Sequence, residues 1–168
     1  ESYRVISNGL VEGFRRLGLA ARMVPRNGAR GQLPATYSSA ACFESPSWYE
    51  LVVEGKKIAG SAQLRQQGVI LQHGSILQEL DVDLLLDVLR FPSEEARAAM
   101  KETLLEKAVP IHQLRPPVTW EEMVTAFKSG FEAGLGICLV EGELTEEEKR
   151  LAEELARRYA DDAWNFRR

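Results

Sequence analysis

From Tyr49 to Ile76 the chain reads as three short strands in succession, and this stretch limits the folds open to it. Tyr49 to Val53 has the alternation and β-branching of a strand, Glu54-Gly55 makes a turn, and a second strand runs from Lys56 to about Gln63. Period-2 alternation puts Lys57, Ala59, Ser61 and Gln63 on one face, with Ile58, Gly60 and Ala62 on the other. The run Gly60-Ser61-Ala62 is too small to fill a core, so it predicts a close approach, either by a ligand or by neighbouring backbone. A third strand follows Gly68 and is expected to break at His73-Gly74-Ser75. A β-meander of this kind needs helices to cover it.

The remaining segments supply them. Tyr3, Ile6, Leu10, Phe14 and Leu17 recur at helical spacing up to Gly18, and Leu19 to Val24 reads as a strand. Pro25 to Ser39 is loop-like, with Arg22, Arg26 and Arg30 in or beside it. Those arginines are either simply solvated or face an acidic carrier protein. Asp81 to Leu89 predicts a short helix capped by Asp81 or Asp83, and Ser93 opens another that runs to about Ala108. Pro110, Pro116 and Pro117 mark a connector. Thr119 to Glu122 is a capping box opening a helix with the stripe Met123, Phe127, Phe131 and Leu135, which Gly134 and Gly136 are expected to end. Ile137 to Val140 reads as a short strand. A second capping box, Thr145 to Glu148, starts a charged helix whose Leu151, Leu155, Tyr159 and Trp164 are expected to face a core. The fold class is α/β (α+β), with helices on a mixed, largely antiparallel sheet.

Composition narrows the function. At 168 residues and 45% hydrophobic content the chain suits one domain, residues 1–168. A net charge of −4 with interspersed signs does not indicate a nucleic-acid surface. No apolar run approaches the roughly 18 residues of a membrane span, and no signal-peptide pattern opens the chain, so a cytoplasmic location is expected. Cys42 and Cys138 lie far apart and outside any CxxC spacing, which indicates neither a disulfide framework nor a zinc site.

The strings GKKIAGSAQ and ILQHGSI, preceded by ACFESPSWYELVV, resemble the core signature of the lipoate-protein ligase A, octanoyltransferase and biotin ligase superfamily. A cysteine at the position of Cys42 is similar to the octanoyltransferase branch of Bacillus-type bacteria, whereas ATP-dependent ligases usually read Gly-Arg-Asn-Asp there. The resemblance runs in order from residue 1 to 168 and is most specific over 40–77. It implies a biotin/lipoate ligase-like fold. Family members also carry an N-terminal portion with an Arg-Arg-x-Thr-Gly-Gly-Arg-like loop and a His, which nothing in residues 1–41 matches. Because the chain also opens on Glu1, it is expected to be the C-terminal part of a single catalytic domain, incomplete at the N-terminus.

Two readings stand side by side for each chemistry-bearing residue. By residue type Cys42 is a small core hydrophobe, and by the resemblance it is the nucleophile that takes an octanoyl group as a thioester. Lys57 by type is a solvated strand lysine, as Lys56 is expected to be. By the resemblance it is the cation that favours the cysteine thiolate; an ammonium about 4 Å away would do so by a few kcal/mol at an effective dielectric of about 20. Gly60, Ser61 and Ala62, with Gly74, Ser75 and Ile76, match the backbone that lines the acyl chain and its carbonyl in the family. The alternative for them is a tightly packed strand pair with a bulge. His73 either assists the cysteine or orients a backbone carbonyl. His112 is expected at the surface, Cys138 buried and inert, and Trp48, Tyr49 and Trp120 in the core, with Trp48 alternatively walling an acyl tunnel.

The resemblance implies an acyltransferase that moves octanoyl from acyl carrier protein to a lysine of a lipoyl-carrier domain, with the glycine cleavage H protein as the preferred acceptor. It needs no cofactor, since the octanoyl-phosphopantetheine of acyl carrier protein is a substrate. The alternatives are an amidotransferase between carrier domains, an ATP-dependent lipoate ligase, and a non-catalytic carrier-binding module.

Overall fold

A computed structural model describes residues 1–25 and 49–167. Cys42, Trp48, Arg26 and Arg30 lie outside the described residues, as does the side chain of Tyr49. In chain order the elements are α1 (Ser2–Arg16), β1 (Arg22–Pro25), β2 (Tyr49–Val53), β3 (Lys56–Gln66), β4 (Val69–Ile76), α2 (Val82–Asp87), α3 (Glu94–Lys107), α4 (Ile111–Leu114), α5 (Trp120–Leu135), α6 (Glu146–Ala160) and α7 (Asp162–Asn165). They fall into two compact units, Glu1–Ile137 and Cys138–Arg168.

The larger unit is built on an antiparallel sheet of order β1-β2-β3-β4. Glu54-Gly55 and Gln67-Gly68 both take positive φ (51° and 81°, 52° and 78°), the tight hairpin geometry whose twist matches the flanking strands. An isolated parallel bridge joins Lys57 to Ala108 outside the sheet's four strands, and Val109 N–H donates to the Lys57 carbonyl at 3.0 Å. Beyond Ile76 the exit from β4 is stitched down by Leu77 N–H to the Ile58 carbonyl and by Ile111 N–H to that of Leu77.

Several expectations need correction. The first strand starts at Arg22 rather than Leu19, because residues 19–21 are still turning off α1, with Leu19 N–H on the Phe14 carbonyl and Ala21 N–H on that of Leu19. β3 runs on to Gln66. β4 does not break at His73-Gly74-Ser75: Ala62, Ser61 and Gly60 pair with these three residues in unbroken register. Gly74 answers a packing demand, since a Cβ there would lie 2.3 Å from the Gly60 carbonyl oxygen.

Phe14, Ile58 and Ile111 are wholly buried at the centre of the core, among Val11, Leu51, Val53, Val109 and Met123. α1 and α5 pack closely, with Phe127 edge-on to Phe14 at 5.1 Å between ring centroids. Gly134, expected to end α5, lies inside it at this contact, and Gly136 at φ 65° forms the left-handed cap. A smaller cluster of Val82, Leu86 and Leu104 joins α2 to α3.

The caps follow the sequence. Asp81 accepts from Leu84 N–H at 2.9 Å, and Ser93 accepts from Ala96 N–H at 3.3 Å. At α5, Glu122 N–H donates to Thr119 Oγ1 at 3.1 Å while Thr119 N–H donates to Glu122 Oε2 at 2.7 Å. Thr119→Ala is expected to cost about 1 kcal/mol. In thermal unfolding that is a drop of roughly 2–4 °C for a chain of this size.

Trp120 is 69% exposed, not in the core, because it is the first residue of α5, one turn ahead of the buried stripe starting at Met123. His112 is half-buried rather than at the surface: Nδ1 lies 2.9 Å from Glu79 Oε1, and Nε2 receives the Val118 N–H at 3.4 Å. The expected strand at Ile137–Val140 does not form; the segment makes no ladder among the described residues, and Cys138 is exposed. The capping box Thr145–Glu148 opens α6 as expected, but α6 buries none of its residues, Leu151, Leu155 and Tyr159 included. Tyr159 instead stacks edge-on to Trp164 at 4.7 Å, with Arg167 over the other ring.

Candidate functional site

The site residues named by the sequence all lie on β3 and β4 except Cys42, but the strands do not present them on one face. The β2–β3 register shifts between Leu51 and Val52: Leu51 pairs with Ala59, whereas Val52 pairs with Lys57. Ile58 is therefore the extra residue of a β-bulge. Leu51 and Val52 point to opposite faces, and so must Ala59 and Lys57. The strict alternation expected for Lys57, Ala59, Ser61 and Gln63 fails at that one residue. Bulges commonly re-aim a side chain beside a functional site, and this one turns Lys57 away from the helices.

The register carries both faces on into β4. Ser61 faces the helices with Ala59 and Gln63, together with Gly74, Ile76 and Gln72 across the ladder. Contacts to α1 confirm that side: Ser2 Oγ donates to Gln63 Oε1 at 3.0 Å, and Gln72 Nε2 donates to Ser7 Oγ at 3.5 Å. A cavity of about 130 Å³ remains there, walled by Ile6, Leu10, Phe131, Ser61, Gly74 and Ile76.

The opposite face carries Lys57, Gly60 and Ala62 on β3 and Ser75 and His73 beside them on β4. The structure thus puts Lys57, Gly60, Ala62, His73 and Ser75 on one face and sends Ser61, Gly74 and Ile76 to the helix side. Gly60 and Ala62 leave backbone uncovered by bulk, a floor against which an extended chain can lie. Ser75 supplies a hydroxyl and His73 an exposed imidazole at the edge strand.

Lys57 is 5% exposed, which is rare for a lysine. Its backbone is held on both sides, by Val52 and by the Ala108–Val109 segment. Its Nζ lies 3.6 Å from Glu50 Oε1, whose side chain is one-third exposed. Lys56 points to the other face and gives its ammonium to the Leu105 carbonyl at 2.8 Å, near the C-terminus of α3 where a cation is favoured. A buried ammonium on the same face as these small residues is suited to holding negative charge on a thiolate or on a carbonyl oxygen. Sequence reasoning missed Glu50, and it offered a bulge at the small residues of β3 and β4, where the register is unbroken, rather than at Ile58. Glu50 was legible only through its parity with Val52, and no residue type announces the bulge.

The chain is 53% identical over 173 residues to the octanoyltransferase LipM of Brevibacillus brevis and 51% identical over 171 residues to that of Bacillus subtilis. It is covered completely in both cases, and spans 62% of the length of those relatives. Among solved structures it resembles the bipartite lipoate protein ligase from Thermoplasma acidophilum, with a TM-score of 0.75 and 26% identity over 98% of this chain and 56% of that one. A lipoate-protein ligase A bound with ATP gives a TM-score of 0.68 and 27% identity over 98% of this chain and 57% of the other. Residues 1–132 match the lipoyl protein ligase A/B catalytic domain, and the chain belongs to that family.

Proposed function

We propose that the chain carries the octanoyl-transfer chemistry of lipoate biosynthesis, with Cys42 as nucleophile and Lys57 as the cation that serves it. The observation carrying this reading is the buried Lys57, turned by a bulge onto the face of Gly60, Ala62, His73 and Ser75, in a chain about half identical to octanoyltransferases along its whole length.

The reaction has two steps. The Cys42 thiolate attacks the carbonyl carbon of octanoyl-acyl carrier protein; a new carbon–sulfur bond forms, the donor's breaks, and the phosphopantetheine sulfur leaves as a thiolate, which takes up the proton that Cys42 gave up on ionising. The amine of an acceptor lysine on a lipoyl-carrier domain, the glycine cleavage H protein foremost, then attacks the S-octanoyl enzyme. An amide forms, the amine's proton is released, and the Cys42 thiolate is regenerated. One thioester is exchanged for another in the first step, so neither ATP nor a cofactor is drawn on. Lys57 stabilises the thiolate before attack and the carbonyl oxygen during it. No helix among the described residues is long and apolar enough to cross a membrane. We place the reaction in the cytoplasm, where its carrier-protein substrates would be met.

Intact mass after incubation with octanoyl-acyl carrier protein tests this. An octanoyl adduct is expected on the protein and none on Cys42→Ala. Absence of the adduct, in this chain and in a form extended to the length of its relatives, overturns the reading. The likeness to a ligase that binds ATP supports a second one, activation of a free acid. Ligation of free octanoate that requires ATP and survives Cys42→Ala would favour it.

A further inference from the structure

We propose that Glu50 is a positioning residue for Lys57, fixing where its ammonium stands over the site face. The inference rests on the transfer reading above and deepens it. Lysine is a point charge on a flexible four-carbon stem, so a strand position alone does not say where the charge sits. Lys57 Nζ is 3.6 Å from Glu50 Oε1. The two residues are diagonal neighbours: Val52 pairs directly with Lys57, and Glu50 is two residues back along β2 on the same face. Diagonal pairs are separated by about 7–8 Å between backbones and are bridged only by long side chains. Glu50 and Lys57 are such a pair.

Their unequal burial gives them different parts to play. The Lys57 side chain is 6% exposed and that of Glu50 33%. The lysine is committed to the interior of the face, and the glutamate reaches it from the rim while still meeting water. A buried ammonium needs compensating charge nearby, and one held on a neighbouring strand also sets its direction. The bulge at Ile58 makes the pairing possible, because it places Lys57 on the face of Glu50 and Val52. With strict alternation Lys57 would point toward the helices, and Glu50 could not reach it.

The test is a double-mutant cycle on the acylation step, read as single-turnover formation of the octanoyl adduct. Glu50→Gln keeps the shape of the side chain and removes its charge. It is expected to slow acylation by about 10- to 100-fold through misplacement of the ammonium, with the donor KM little changed. Glu50→Asp, which keeps the charge on a shorter arm, is expected to recover part of the rate. In a Lys57→Met background, Glu50→Gln is expected to have no further effect, since Glu50 acts through Lys57. A Glu50→Gln protein as fast as the parent overturns the proposal and leaves the transfer reading intact. An equal slowing with and without Lys57 also overturns it, because a structural role of Glu50 would give that result. Full activity of Lys57→Met by itself overturns both this proposal and the part given to Lys57.

Discussion

Lys57→Met is expected to lower octanoyl transfer by about 100-fold or more while leaving the protein folded, with two losses adding up. Without a nearby cation a thiol of ordinary pKa, about 8.5, is only roughly 3% thiolate at pH 7, so the acylation rate falls by an order of magnitude or more. The developing charge on the carbonyl oxygen also loses its partner, and removal of one such donor typically costs about 10²–10³ in rate. The fold should tolerate the change. Methionine follows the path of the lysine stem, and removing one member of an ion pair is strongly destabilising only where the remaining charge stays buried. Glu50, one-third exposed, retains access to water when its partner is gone. The measurement is the rate of adduct formation beside a thermal melt. An unchanged rate would show that Lys57 is a core lysine with no part in the chemistry. A lost rate with a lowered melting temperature would assign the effect to folding instead. The pH dependence gives a second readout, because the acylation rate of Lys57→Met should keep rising to higher pH than that of the parent as the thiol ionises.

Most of the meander was legible from the chain because alternation and turn residues are local. Glu54-Gly55 and the three strands follow from them, as do the caps at Asp81, Ser93, Thr119 and Thr145. What alternation could not supply was parity across the bulge. One extra residue, Ile58, moves Lys57 from the face of Ser61 to that of Gly60, while Leu51, Ile58 and Ala59 all stay in the same core. Gly74 misled in the opposite sense: glycine marks breaks and close contacts alike, and the choice depends on the Gly60 carbonyl across the ladder. Cys138 was assigned to a core by its apolar neighbours Ile137, Leu139 and Val140, yet Val140 is 88% exposed. An apolar run is a strand only where another strand waits beside it.

Gly130→Ala should be the most destabilising of the conservative changes in the helices, and the reason is the approach of α1 to α5. Gly9 and Gly13 on α1 meet Gly130 and Gly134 on α5, each pair spaced to lie on one helix face. A Cβ at Gly130 would fall 2.3 Å from the Gly13 nitrogen and 2.5 Å from its Cα, and one at Gly134 would fall 2.7 Å from the Asn8 carbonyl carbon. These are backbone atoms, and no rotamer change relieves them; the helices must move apart. Gly9 and Gly13 differ, because their added Cβ would meet the rings of Phe131 and Phe127 at 2.2 Å, and side chains have some freedom to shift. Alanine gains about 1 kcal/mol over glycine in helix propensity, while overpacking costs about 1–3 kcal/mol, more where backbone is the obstacle. A net loss of about 2 kcal/mol is therefore expected for Gly130→Ala, or roughly 4–8 °C in melting temperature. Since α1 also roofs the cavity beside Ser61 and Gly74, the separation should loosen the helix-side support of β3 and β4. Gly136→Ala is the comparison: its Cβ would meet nothing, and only the φ of 65° opposes it, at a cost of about 1 kcal/mol. If Gly130→Ala melts no lower than Gly136→Ala, the two helices do not depend on the glycine contact for their spacing.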